Sequence, residues 1–247
     1  MDERTSSRRR ADVLLVERGF FESRARAQDA ITAGLVIADG RPVRKGADLL
    51  DPEAVIEARA PHPWVSRGGV KLAAALDALD LDPRGLVCLD VGASTGGFTD
   101  VLLARGARRV YAVDVGRGQL HPKVAGDPRV VSLEGVDARA LDEAAIPDPA
   151  DFLVADVSFI SLKLVLPAAV RRLAARAALV ALIKPQFEAG RQHLKKGIVR
   201  DAAVREAVRD EITAFVAGLG LAIIGVMPSP IEGGDGNVEY LIGARRG

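Results

Sequence analysis

From Trp64 onward the chain alternates short apolar segments with amphipathic ones, and this alternation constrains its fold more than any other feature. The apolar segments are Leu86–Val91, Val110–Val113, Val130–Leu133, Phe152–Val157, Ala178–Ile183, Leu221–Met227 and Val238–Ala244. Each has the length of a strand. Near Val70–Leu79, Phe98–Arg105, Gln119–Ala125, Leu162–Arg172 and Ala202–Leu219 the spacing predicts helices. Strands joined by helices run parallel and are covered on both faces, so the expected fold is α/β with a doubly wound sheet. The last two strands are separated only by a loop, Pro228–Asn237, with no crossover helix. They should pair antiparallel, as a hairpin at the sheet edge.

In an open α/β sheet, ligands gather at the carboxyl ends of the strands. The first of these strands runs into Asp90-Val91-Gly92-Ala93-Ser94-Thr95-Gly96-Gly97-Phe98-Thr99. Its glycine spacing, G-x-x-x-G-G, is neither the G-x-G-x-x-G of dinucleotide binders nor a P-loop. Asp90 precedes the loop, and Asp114 ends the next strand, 22 residues past Gly92, about where a carboxylate meets ribose hydroxyls. An acidic residue, a glycine loop and a second acidic residue suit a cationic, ribose-bearing cofactor such as S-adenosylmethionine (SAM). A tight structural turn would use its glycines in the same way.

At 247 residues the chain has room for one full domain and a small one. Hydrophobic content of 49% and charged content of 27% are those of a globular protein. No apolar run approaches the ~20 residues of a membrane span, and Met1-Asp2-Glu3-Arg4 has no signal-peptide core. The single cysteine, Cys88, and the scattered His62, His121 and His193 offer no metal-ligand spacing. The expectation is a cytoplasmic, metal-free protein.

Net charge is +1, but residues 4–45 hold ten Lys/Arg, Arg4 among them, against five acids. Such a local excess favours contact with phosphates, although Arg8-Arg9-Arg10 could equally be a solvated tail. Within this span Asp12–Arg18 reads as a short helix, and Ser23 can cap a second, Arg24–Ala33, with Arg24, Arg26 and Gln28 on its polar face. Leu35–Ala38 and Val55–Ala58 read as strands, the first followed by the hairpin signal Asp39-Gly40. Two small helices on short strands resemble the alpha-L RNA-binding motif. Pro61-His62-Pro63 breaks the pattern. The expected division is residues 10–60 as a small α+β RNA-binding domain, 61–66 as linker and 67–247 as the α/β domain.

Four charged residues fall near strand ends or the boundary helix: Lys71, Asp156, Lys184 and Glu239. In principle they converge on one cleft beside the glycine loop, although any of them singly could be a structural ion pair. Lys-Asp-Lys-Glu in this order across such a fold resembles the tetrad of the FtsJ-type ribose 2′-O-methyltransferases, which are class I SAM-dependent enzymes. The blocks Ser66-Arg67-Gly68-Gly69-Val70-Lys71-Leu72, Asp156-Val157-Ser158-Phe159-Ile160-Ser161, Lys184-Pro185-Gln186-Phe187-Glu188 and Gly236-Asn237-Val238-Glu239-Tyr240, with the glycine loop, resemble more narrowly the TlyA family. Members of that family also carry the label hemolysin A.

The resemblance implies methyl transfer from SAM to the 2′-hydroxyl of a cytidine in ribosomal RNA. By it, Lys71, Asp156, Lys184 and Glu239 are catalytic, with Lys184 as the group that deprotonates or orients the hydroxyl. Asp90, Gly92, Ala93, Ser94, Gly96, Gly97, Phe98, Asp114 and Asp156 would hold the cofactor, and Asp137 would meet its adenine amino group. Candidate RNA contacts are Arg24, Arg26, Arg44 and Lys45, with Arg67, Arg191, Lys195 and Lys196 nearer the cleft; the basic loop Glu188–Val199 suits a segment that orders on RNA. Few residues follow Glu239, which favours the large-subunit-only type of the family, with a small-subunit target still open. Three rivals are a membrane-active cytolysin, which would need an inserting segment, a non-catalytic RNA-binding assembly factor, and a nicotinamide oxidoreductase, against which the glycine spacing and the terminal hairpin argue.

Overall fold

The computed structural model describes residues 8–233 and 236–247, so Arg4 and part of the Pro228–Asn237 loop lie outside the described residues. The contacts divide the chain between Pro63 and Trp64 into two compact units.

In the N-terminal unit, α1 (Ala11–Glu17) and α2 (Arg24–Thr32) pack on short strands. Ser23 caps α2 by accepting from the Arg26 amide at 3.3 Å. Strands β2 (Val36–Ala38), β3 (Arg41–Pro42) and β5 (Ile56–Ala58) form one antiparallel sheet. Strands β1 (Arg9–Arg10) and β4 (Leu49–Leu50) form another. Leu14, Leu15, Phe21, Ile31, Val36 and Ile56 fill the core between them. Arg9 and Arg10 are therefore a paired strand and not a solvated tail.

The C-terminal unit is built on a seven-stranded sheet. Strands β6 (Val87–Val91), β7 (Arg109–Asp114), β8 (Val130–Glu134), β9 (Ala150–Ala155) and β10 (Leu173–Ile183) are parallel. Strands β11 (Ala222–Pro228) and β12 (Tyr240–Arg246) complete it in the order β11-β12-β10-β9-β6-β7-β8. The terminal pair is antiparallel as the short loop requires, but β12 inserts between β11 and β10 and leaves β11 at the edge. Helices α3 (Gly68–Ala78) and α4 (Gly97–Ala104) cover one face, where Leu72, Leu76, Phe98 and Leu102 are buried. Helices α6 (Leu162–Arg171) and α8 (Ala202–Gly218) cover the other through Leu162, Leu166, Ile212 and Val216. Burial on both faces explains the near-continuous apolar runs: every residue of β6 is buried.

Three elements depart from expectation. The helix expected over Gln119–Ala125 shrinks to α5 (Pro122–Ala125), because Pro122 at its first position and His121 as its cap set its start. β10 begins at Leu173, with an irregular pairing before Ala178. Between β10 and α8 lies a single helical turn, α7 (Pro185–Glu188). The chain runs outward from β6 through β7 to β8, then returns to β9 on the other side of β6. The order reverses at β6, and open sheets bind ligands at this point.

Candidate active site

The carboxyl ends of β6, β7 and β9 bring Gly92, Asp114 and Asp156 to one cavity of about 650 Å³, a volume typical of small-molecule sites. Its walls also include Ser94, Gly116, Gln119, Asp137, Arg139 and Ser158. Gly92 has φ +84°, and a Cβ there would lie 2.5 Å from the Asp156 carbonyl oxygen. Only glycine lets the loop after β6 close against the end of β9.

Of the residues expected at the cofactor, Gly92, Ser94, Asp114, Asp137 and Asp156 line this cavity. Ala93, Gly96, Gly97 and Phe98 are buried and do not line it; Gly97 and Phe98 open α4. Asp90 is also wholly buried. It accepts from Thr99 Oγ1 at 2.6 Å, and its Oδ1 has no hydrogen-bond partner. Burial, reinforced by Asp156 and Asp114, pushes its carboxyl up to about 7.

The rim of the cavity is set by carboxylates that hold backbone amides. Asp114 accepts from the amides of Ser94 (2.8 Å) and Gly116 (2.7 Å). Glu134 accepts from those of Gly118 and Gln119 at 2.8 and 3.0 Å. Asp137 is gripped by Arg139 through both guanidinium and backbone, which holds its carboxyl at about 2.

The four charged residues form two ion pairs. Lys71, on the first turn of α3, reaches Glu239 Oε2 at 2.5 Å, and both side chains are buried. Glu239 immediately precedes β12, and its carbonyl accepts from the Ser229 amide at 2.9 Å. Gln186 donates to its other oxygen at 3.3 Å. Any side chain at Gly233 would run into the Glu239 carboxylate. The second pair joins Lys184 to Asp156 Oδ1 at 2.6 Å, and Lys184 donates to Ser158 Oγ at 2.8 Å. This pair sits at the cavity itself, through Asp156 and Ser158.

Beside it stands Phe159, 90% exposed and at φ +65°. Its ring lies 5.0 Å from that of Phe187, and the Lys184 ammonium lies 6.0 Å from the Phe187 centroid. An exposed aromatic in a conformation that side chains rarely adopt is a strained feature at the edge of the cavity. Ser158, Phe159 and Gln186 were within the quoted motifs but had no role assigned from sequence. Their signal was adjacency to Asp156 and Lys184.

The basic candidates separate by environment. Arg24 is exposed but tied at 2.9 Å to the buried Asp12, which also holds Arg10 and Gln28. Those contacts hold the Asp12 carboxyl far below its ordinary range. Arg26 donates to the His62 carbonyl at 3.0 Å. Arg44 and Lys45 are exposed on a turn fixed by Asp48, which accepts from both amides at 2.9 Å. In the C-terminal unit, Arg67, Arg191, Lys195 and Lys196 are exposed. Lys195 and Lys196 sit in a tight turn closed by Lys195–Ile198 pairing and anchored where Asn237 donates to the Gly197 carbonyl at 3.2 Å. The expected RNA-ordered segment is thus an ordered turn in part.

A doubly wound sheet ending in this hairpin, with a ligand cavity at the switch point and a lysine–aspartate pair at its wall, defines a class I methyltransferase domain. The FtsJ-like methyltransferase family matches residues 64–246, and the S4 domain family matches residues 9–56. The chain belongs to the FtsJ-like methyltransferases, among their TlyA members. It is 44% identical to the 16S/23S rRNA (cytidine-2′-O)-methyltransferase TlyA of Mycobacterium tuberculosis, over 96% of this chain and 90% of that one. It is 31% identical to the 23S rRNA (cytidine-2′-O)-methyltransferase TlyA of Campylobacter jejuni, over 90% of this chain and 81% of the relative. A solved structure from Streptococcus thermophilus, described as a candidate hemolysin, matches with a TM-score of 0.78 and 41% identity over 98% and 90% of the two chains.

Among the described residues no helix is long and apolar enough to cross a membrane. Nor, among them, is there a group of three His, Cys, Asp or Glu that could hold a metal ion.

Proposed function

We propose that this protein methylates the 2′-hydroxyl of a cytidine in ribosomal RNA, with SAM as the donor. The observation that carries the reading is the Lys184–Asp156 pair on the wall of the switch-point cavity. The cavity suits the donor: Gly92 leaves the backbone open, Ser94 and Gly116 are held by Asp114, and Asp137 offers a carboxylate further along the wall. When bound, SAM supplies an electrophilic methyl on a sulfonium. Asp114 would meet its ribose, Asp137 its adenine amino group, and the Gly92–Ser94 loop its methionine end.

A ribose hydroxyl is a poor nucleophile and needs a hydrogen-bonding partner as it reacts. An ammonium has three donors; that of Lys184 donates to Ser158 Oγ and is ion-paired with Asp156. A further N–H is left for the acceptor oxygen. The proton that the hydroxyl loses passes to the Asp156 carboxylate, the basic member of the pair while Lys184 is an ammonium. Lys71 and Glu239 form a buried, charge-balanced brace that holds α3 and the start of β12 in register behind it. Phe159 presents a face on which the target base stacks once it leaves its helix.

The S4 unit binds the surrounding RNA, with Arg24, Arg26, Arg44 and Lys45 as phosphate contacts; Arg67, Arg191, Lys195 and Lys196 serve the same end in the methyltransferase unit. The target lies in the 23S RNA of the large subunit, the RNA named for both the mycobacterial and the Campylobacter relatives. The test is Lys184→Ala with labelled SAM and unmethylated ribosomal subunits. Transfer is expected to vanish while calorimetric SAM affinity stays unchanged. Near-normal methylation by the variant would refute the assignment.

A further inference from the structure

Two loops build the acceptor side of this site, and they meet at three places. Asp156, Ser158 and Phe159 lie on the stretch leading from β9 into α6, whereas Lys184 and Phe187 lie on the stretch from β10 through α7. Two of the meetings involve groups placed against the acceptor: Lys184 with Asp156 and Ser158, and Phe187 with Phe159. The third lies behind them. Glu188, the last residue of α7, accepts from Ser161 Oγ at 2.5 Å and from the Leu162 amide at 2.7 Å.

Ser161 is the N-cap of α6, and its Oγ also accepts from the Lys163 amide at 3.1 Å. Glu188 therefore satisfies an amide of the first turn of α6 from another part of the chain. That end of a helix favours a negative charge. Glu188 is rigidly connected to Lys184, because α7 is one closed turn in which the Phe187 amide donates to the Lys184 carbonyl at 2.9 Å. On the other loop only four residues separate Ser161 from Asp156. Both Glu188 oxygens are engaged, and its carboxylate is partly buried although no cation among the described residues forms an ion pair with it; Lys163 is directed to Glu211 at 2.5 Å instead.

We infer that Glu188 is a positioning residue: its carboxylate clamps the N-terminus of α6 to α7 and so fixes the spacing between Lys184 and the Asp156–Phe159 segment. A ribose hydroxyl held by one N–H tolerates little drift, and a misplacement of about 1 Å from a remote change can cost 10²-fold in rate. The inference rests on the methyl-transfer reading above.

The test compares wild type, Glu188→Ala, Glu188→Gln and Ser161→Ala in single-turnover transfer to ribosomal subunits, calorimetry with SAM, and hydrogen exchange. Glu188→Ala is expected to lower the transfer rate about 10- to 100-fold at unchanged SAM affinity, with faster exchange confined to residues 158–162. Glu188→Gln, which keeps an acceptor for the Leu162 amide and a partner for Ser161, is expected to restore most of the rate. Should the alanine variant fail to fold, Ser161→Ala decides, with a smaller loss of rate in the same direction and no change in SAM affinity. Wild-type rates and exchange in these variants, or a loss of SAM affinity in parallel with rate, would overturn the inference. Absence of transfer by wild type would instead overturn the reading on which it rests.

Discussion

Replacing Asp90 with asparagine should make the methyltransferase unit more stable at alkaline pH than at acid pH, relative to wild type. Asp90 is wholly buried, with one oxygen bound by Thr99 and the other without a partner. Burial carries its carboxyl from an ordinary 3.8 to about 7. Between those values the folded protein holds a proton that the unfolded chain has released, so stability falls as pH rises. The full penalty is about 4 kcal/mol once pH exceeds 7. About 3 kcal/mol of it develops between pH 5 and pH 8, a window accessible to urea unfolding. Asparagine can accept from Thr99 and cannot ionise, so its stability relative to wild type should rise by roughly that amount across the window. A difference between the two proteins that stays flat from pH 5 to pH 8 would refute the argument that Asp90 is buried as an acid. Any cationic ligand in the adjacent cavity should draw the same carboxyl downward.

Two further outcomes follow from the same geometry. Lys71→Met leaves the Glu239 carboxylate buried without its cation and should cost about 3–5 kcal/mol in chemical denaturation, with partial recovery when Glu239→Gln is added; a loss under about 1 kcal/mol would contradict the brace. Phe159→Ala removes an exposed ring and should leave thermal stability and SAM affinity unchanged while lowering transfer by about 5- to 150-fold, the worth of a base stack; an unaffected rate would exclude Phe159 as the platform.

Much of the fold was legible because apolar runs buried on both faces have little freedom to be anything but parallel strands. Leu86–Val91, Val110–Val113 and Val130–Leu133 match β6, β7 and β8 closely. The insertion of β12 between β10 and β11 was not legible, since loop length sets pairing within a hairpin but not which arm faces the sheet. Lys71, Asp156, Lys184 and Glu239 could be brought to one region by topology. How they pair depends on side-chain reach: Lys71 extends from the first turn of α3 to a residue 168 positions later in the chain. The tail stayed an equal alternative for Arg10 because its partner, Asp12, owes its burial to packing that no local pattern reveals. Glu188 was equally silent, for a carboxylate at the end of one short turn reads as solvated until a distant helix start is seen against it.

The central claim is tested most directly by digesting ribosomal RNA after incubation of unmethylated subunits with the protein and isotope-labelled SAM, then mapping the label by mass spectrometry. The account predicts a single cytidine of the 23S RNA carrying the label on its 2′-oxygen. Label on a nucleobase, or no labelled cytidine in either subunit, would contradict it.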